Sequence, residues 1–147
     1  MTAGELLAFM RTHRVAVQAS VTADAGSQAA VVGIAITDGF EVVFDTLGSS
    51  RKAKNLRANR SIALVVGGLM PGDERTVQYE GDADEPEGEE RDRLTAAYYQ
   101  VYPDGRDRLS WPGLTYFRVR PRWIRYSDFG HQPAPLIVEF TAAELTA

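Results

Sequence analysis

Phe44-Asp45-Thr46-Leu47-Gly48-Ser49-Ser50-Arg51-Lys52-Ala53-Lys54-Asn55-Leu56 is the stretch on which the fold turns. An apolar run ends at Thr46, a small polar turn follows, and a cationic helix is predicted over about residues 50–59. The first turn of a helix carries unpaired N–H groups and the positive end of its dipole, which suits a phosphate monoester. Ser49 and Ser50 can cap that turn and donate hydroxyls. Arg51 can grip two phosphate oxygens, and Lys52 adds a point charge. Thr46, at the strand end, faces the same turn. Lys54, Arg57 and Arg60 are expected to be plain surface, because the helix carries them away from its N-terminal end.

Outward from that stretch the pattern is mainly β. Thr2-Ala3-Gly4-Glu5 has capping-box spacing ahead of a helix at about 3–12. Residues 15–21 read as a strand, and Ala29–Ile36 as a small-apolar strand buried on both sides. Asp38-Gly39 predicts a tight hairpin into Phe40–Asp45. Asn59 is the expected C-cap of the basic helix. Strands follow at 61–66 and 75–82, a helix at 87–99 stopped by Tyr102-Pro103-Asp104-Gly105, and a long strand at 114–126 that is bent or edge-placed at Pro121. A short strand at 136–140 precedes a cap at Thr141. The expected fold is mainly β with peripheral helices (α+β), a small barrel of six to seven antiparallel strands in one domain, 1–147. Regular strand–helix alternation and glycine-rich phosphate fingerprints are both missing.

Composition excludes several chemistries. The 147 residues contain no cysteine and two histidines, His13 and His131, far apart in sequence. Thiol catalysis, thiolate metal sites and disulfides are therefore out, and no metal site is expected. The apolar fraction is ordinary, with neither a leader pattern nor an apolar run of membrane-spanning length, so a cytoplasmic location and no membrane partner are expected. Net charge is −4, with five cations confined to residues 51–60 and an acidic run from Glu80 to Asp92. A localised cation cluster suits one or two phosphates rather than nucleic acid. The acidic run reads as a solvated loop and helix start. Aromatics crowd the region 98–129, mostly as core or interface; Trp111, ahead of Pro112-Gly113, could flank a planar ligand.

The order of strand, F-x-T-x-x-x-S-R-K, helix with Asn55-Leu56, and a further apolar strand resembles the FMN-binding split-barrel superfamily that includes pyridoxamine 5′-phosphate oxidase. Arg75–Gly81, Phe117-Arg118-Val119 and Ile124-Arg125-Tyr126 resemble its later strands, so the resemblance spans about residues 5–130. It implies that Thr46, Ser50, Arg51 and Lys52 contact the ribityl-phosphate of FMN, with Arg51 and Lys52 as the phosphate clamp. Thr76 falls where the oxidase has a flavin-facing Gln. The small residues at 29–35, Val31 and Val32 among them, would bring backbone close to the isoalloxazine. It also implies a homodimer, and an oxidoreductase acting on an unidentified small molecule. A deazaflavin in the same barrel, or a non-catalytic flavin store or redox sensor, are the alternatives. Ala30 and Ala35 replace cations of the oxidase, Ser127 replaces its Trp, and Tyr98–Pro103 carries Tyr102 where its substrate-phosphate Arg would stand. The resemblance is thus to a divergent relative.

Overall fold

The computed structural model describes residues 1–146. Helix α1 (Ala3–Arg11) opens on the expected capping box: Thr2 Oγ1 accepts from the Glu5 N–H at 3.1 Å, and Glu5 accepts from the Thr2 N–H at 2.6 Å. Strands β1 (Val15–Val21), β2 (Ser27–Gly33), β3 (Ala35–Ile36) and β4 (Val42–Leu47) lead to α2 (Arg51–Ala58). Then come β5 (Ser61–Gly67), β6 (Arg75–Asp84), α3 (Gly88–Val101), a 3₁₀ helix (Pro103–Ser110), β7 (Leu114–Asp128), β8 (Leu136–Thr141) and α4 (Ala142–Leu145). The eight strands form one sheet in the order β2-β1-β5-β6-β7-β4-β3, with β8 on β7, and every pairing is antiparallel. Because β2 pairs with β1 while β3, just beyond it in the chain, pairs with β4, the sheet curls around its own interior.

Two apolar clusters follow. The larger fills the curl, with Leu6, Phe9 and Met10 of α1, Leu56 of α2, and Phe44, Leu64, Tyr79, Phe117 and Ile124 from the strands. The second lies outside the curl, where Leu94 and Tyr98 of α3 pack on Ala35, Val43 and Tyr116. Tyr79 is fully buried, and its hydroxyl lies 2.8 Å from the Phe40 carbonyl and 3.0 Å from that of Val119. Burial pushes this phenol well above its ordinary pKa.

Several expectations need correction. Residues 29–36 are not one strand buried on both sides: a break at Ile34 separates β2 from β3, and β2 alternates, with Val31 65% exposed. That break raises the strand number to eight. The hairpin forms at 37–41, but the left-handed residue is Phe40 (φ 63°), whose buried ring offsets the strain, rather than Gly39. Asn59 is the C-cap of α2 as expected, in extended conformation, its N–H donating to the Asn55 carbonyl at 2.8 Å. Of the two placements expected at Pro121, the bend holds and the edge does not. Pro121 sits at a β-bulge in the central β7, in the gap where pairing to β4 ends at Val119 and pairing to β8 begins at Trp123. Gly81 faces the bulge, since a Cβ there would lie 2.3 Å from the Arg120 carbonyl.

The acidic run is no solvated loop either. Its first part is strand β6, and it is paired with arginines: Asp82 with Arg122 (2.6 Å), Asp84 with Arg118 (2.6 Å), Glu85 with Arg57 (2.5 Å) and Glu90 with Arg93 (2.7 Å). Hydrogen bonds from Arg118 and Arg57 hold the Asp84 and Glu85 carboxyls below their ordinary range. Burial would raise Glu41, but bonds from Arg93 outweigh it. Carboxyls that titrate lower in the folded chain stabilise it above the ordinary carboxylate range, and that stability is lost as pH falls through their folded values. Thermal melts are therefore expected to show Tm falling below roughly pH 4, with an Arg118→Met variant losing part of that slope. Identical slopes in the two proteins would show that the network does not titrate with folding.

Candidate functional site

The turn after β4 is built by its backbone. Thr46 points inward at the end of β4, while Leu47 stands 40% exposed and pairs with Leu114. The Ser50 N–H donates to the Leu47 carbonyl (2.9 Å) and the Gly48 N–H to the Gly113 carbonyl (2.7 Å). A Cβ at residue 48 would lie 3.1 Å from that carbonyl, a tight contact that glycine avoids. Ser50 caps α2, its Oγ accepting from the Ala53 N–H at 3.2 Å.

The polar side chains converge here. Thr46 Oγ1 and Ser50 Oγ are 3.0 Å apart, and Lys52 Nζ donates to Thr46 Oγ1 at 3.2 Å. Ser49 and Arg51 are exposed, and among the described residues neither holds a carboxylate. The first turn of α2 contains no acid. Glu85, which shares Arg57 with the Gly48 carbonyl, also accepts from Thr115 Oγ1 (2.8 Å). Cationic groups at a capped helix N-terminus, free of protein anions, fit a phosphate.

Two residues that hold this turn were not expected from the sequence. Arg57 is not plain surface: its Nη1 donates to the Gly48 carbonyl at 2.7 Å while its other nitrogens grip Glu85, bracing the turn against the β6–α3 connection. Asn55 is buried and donates to Ser20 Oγ (3.1 Å) and Gln28 Oε1 (2.7 Å), which ties α2 across β1 and β2. An asparagine inside a helix disfavours the helix, and that is the one sequence signal for such a partner. Nothing in the local pattern distinguishes Arg57 from Lys54 or Arg60.

Of the other expected site residues, Trp111 is 51% exposed and lies two residues before Gly113, whose carbonyl accepts from the Gly48 N–H of the turn. Val31 faces solvent, whereas the Val32 side chain is in the core, leaving only its backbone to offer. Thr76 is not brought to the turn within one chain. It pairs with Ser127, at the opposite end of β7 from the Thr46–Thr115 pair. The Tyr102 phenol donates to the Arg14 carbonyl and occupies the space a side chain at position 33 would need. Tyr98 accepts from Arg108 Nη2 (3.2 Å), while Arg108 Nε donates to Asp45 at 2.9 Å. Burial, with Asp45 nearby, pushes the Tyr98 phenol up. These tyrosines serve the fold, not an acid–base pair, and no nucleophile–base set is present at the turn. No group of three metal-ligating side chains occurs among the described residues, and no helix there is long and apolar enough to cross a membrane.

Comparison with known proteins agrees with this architecture. A heme-binding protein from Mycobacterium smegmatis superposes with a TM-score of 0.83 over 99% of this chain and 60% of its own, at 16% identity. HutZ, the heme storage protein of Vibrio cholerae, gives 0.72 at 14% identity, covering 98% of this chain and 99% of its own. A pyridoxamine 5′-phosphate oxidase-related, FMN-binding protein from Nostoc punctiforme gives 0.70 at 14% identity over 94% and 87%. At such identities the likeness establishes the split-barrel fold. No curated protein matches the sequence. The model of one protein family, pyridoxamine 5′-phosphate oxidase, matches residues 2–128. With strand order, cationic turn and family match in agreement, the chain belongs to the pyridoxamine 5′-phosphate oxidase family.

Proposed function

We propose that the chain binds FMN and acts as an oxidoreductase on a small molecule. The observation that carries this reading is the capped, cationic N-terminus of α2, where Ser49, Ser50, Arg51 and Lys52 answer to no protein carboxylate. Arg51 and Lys52 hold the phosphate, Thr46 and Ser50 supply hydroxyls, Trp111 flanks the ring system, and the backbone at Val31 and Val32 borders it. The flavin ring, when bound, supplies hydride or electron transfer. The chain contributes affinity and orientation, which is consistent with the lack of an acid–base set.

The turn is an open shelf, and a homodimer supplies its missing wall in this reading. The outward face of β2-β1-β5 carries two apolar cross-strand rows, Val31–Val17–Val65 and Ala29–Ala19–Ala63, with Val31 and Val65 65% and 38% exposed. Such a face favours burial against a second copy. A Val31→Glu variant is expected to elute as a monomer in light-scattering chromatography and to lose flavin affinity. A dimer unchanged by that charge would exclude this face.

The visible spectrum of the protein mixed with FMN tests the function: bound-flavin bands and quenched fluorescence support it, and free-flavin behaviour refutes it. Turnover of the reduced flavin with oxygen, NAD(P)H or a substrate panel separates an enzyme from a flavin store or sensor. The same titration with a deazaflavin tests that alternative. Heme is a second reading, favoured by the likeness to the M. smegmatis and V. cholerae proteins. For it the chain offers His131, exposed, with Nδ1 3.0 Å from the Ala134 carbonyl and Nε2 open. A Soret band with hemin, and none of the flavin changes, would select it.

A further inference from the structure

A cleft lies away from the cationic turn. Helices α1 and α3 both pack on β3 but leave a groove of about 640 Å³ between them, within the range that takes a small molecule. Its floor is apolar and closed, with Ile34, Ala35 and Ile36 each at most 6% exposed. Its α3 wall is made of small side chains, Ala96 and Ala97, followed by the exposed amide of Gln100.

Two arginines, Arg11 and Arg93, and one carboxylate, Asp38, bring charge to the groove. Arg93 is spent: Nη1 and Nη2 donate to Glu41 at 2.9 and 3.0 Å, while Nε and Nη2 donate to Glu90 at 3.1 and 2.7 Å. Arg11 is not. Its Nε and Nη2 both donate to the Ile36 carbonyl, at 3.0 and 2.8 Å, which fixes the guanidinium on the groove wall. Its sole carboxylate partner among the described residues is Asp38 (2.8 Å), whose side chain is 93% exposed. An ion pair that exposed is weak and replaceable. Nη1 makes no hydrogen bond among the described residues. A guanidinium held by main chain, with free donors beside an apolar floor, is preorganised for one carboxylate on a compact apolar body.

We infer that the α1–α3 groove is a second ligand site, which takes a small hydrophobic carboxylic acid with its carboxylate on Arg11 and its apolar body over Ile34, Ala35, Ala96 and Ala97. The site is independent of the flavin reading, because it shares no residue with the turn at 46–52. Phenylacetate serves as probe and phenylacetamide as its neutral shape-mimic, titrated by calorimetry or ligand-observed NMR.

The acid is expected to bind saturably and about tenfold more tightly than the amide, the worth of one charge-assisted hydrogen bond. Arg11→Gln is expected to erase that preference. Asp38→Asn is expected to tighten the acid about twofold to fivefold by removing its competitor, a gain that a purely structural role for Arg11 does not produce. Ala96→Trp, at an exposed helix position, fills the groove and is expected to abolish binding without unfolding the chain. The Arg51→Ala, Lys52→Ala variant is expected to bind phenylacetate like the wild type. Absence of saturable binding, equal affinity for acid and amide, full affinity in Ala96→Trp, or loss in the turn variant would each overturn the site.

Discussion

An Arg51→Ala, Lys52→Ala double variant is expected to lose FMN affinity by about 3–6 kcal/mol, roughly 10²–10⁴-fold. Each charge-assisted hydrogen bond removed is worth about 1.5–3 kcal/mol, and about 1.4 kcal/mol is a factor of ten. Neither cation is tied to a protein carboxylate among the described residues, so truncation strands no buried anion. Lys52 gives up one bond to Thr46 Oγ1 (3.2 Å), and Arg51 is exposed, so the melting temperature should hardly move. Riboflavin, which has the same ring and no phosphate, provides the internal control. Its affinity should be equal in wild type and variant, and the FMN loss should shrink at high salt, because the clamp is open to solvent. An equal loss for both ligands would mean that the helix had been damaged rather than the phosphate released. An unchanged FMN affinity would remove the clamp from the site.

Arg118→Met is expected to be the most destabilising single change outside the apolar core. The Arg118 side chain is 6% exposed and holds three carboxylates from three parts of the fold. Nε and Nη2 fork onto Asp84 at the end of β6, at 2.9 and 2.6 Å. Nη1 reaches Glu41, next to β4, at 3.4 Å and Glu90 of α3 at 3.3 Å. Removing the single buried cation leaves acids facing one another in partly desolvated positions, with Arg93 alone to neutralise Glu41 and Glu90. Breaking a buried network from one side costs about 3–5 kcal/mol, which for a domain of this size lowers Tm by roughly 6–20 °C. Arg118→Lys keeps the charge but not the fork, so it should fall between the two. A methionine variant as stable as the wild type would show that the acids relax into water at no cost.

The parts of this molecule readable from sequence are those whose signal is local. The Thr2–Glu5 box, the hairpin before Phe40 and the Ser50 cap each follow from a few adjacent residues obeying backbone hydrogen-bond chemistry. The cationic turn was legible for the same reason: strand end, cap and cations lie within seven residues. Misreadings arose where one local pattern serves two environments. Ala29–Ile36 is uniformly small and apolar, which is compatible with burial on both faces, yet β2 turns one face outward. The acids from Glu80 onward look like a solvated run because their arginine partners lie at positions 57, 93, 118 and 122.

By itself, then, the sequence determined a mainly β chain with peripheral helices and a capped cationic turn, since alternation, caps and clustered charge act over a few residues; the split barrel and the family came through its resemblance to known members. Tertiary structure alone decided that Arg57 and Asn55 brace that turn, that Thr76 lies at the far end of β7 from it, and that Arg11 lines the groove between α1 and α3. The physical reason is register. Which side chains meet depends on how eight strands are ordered and offset around a curled sheet, and a shift of one residue on any of them would present the other face.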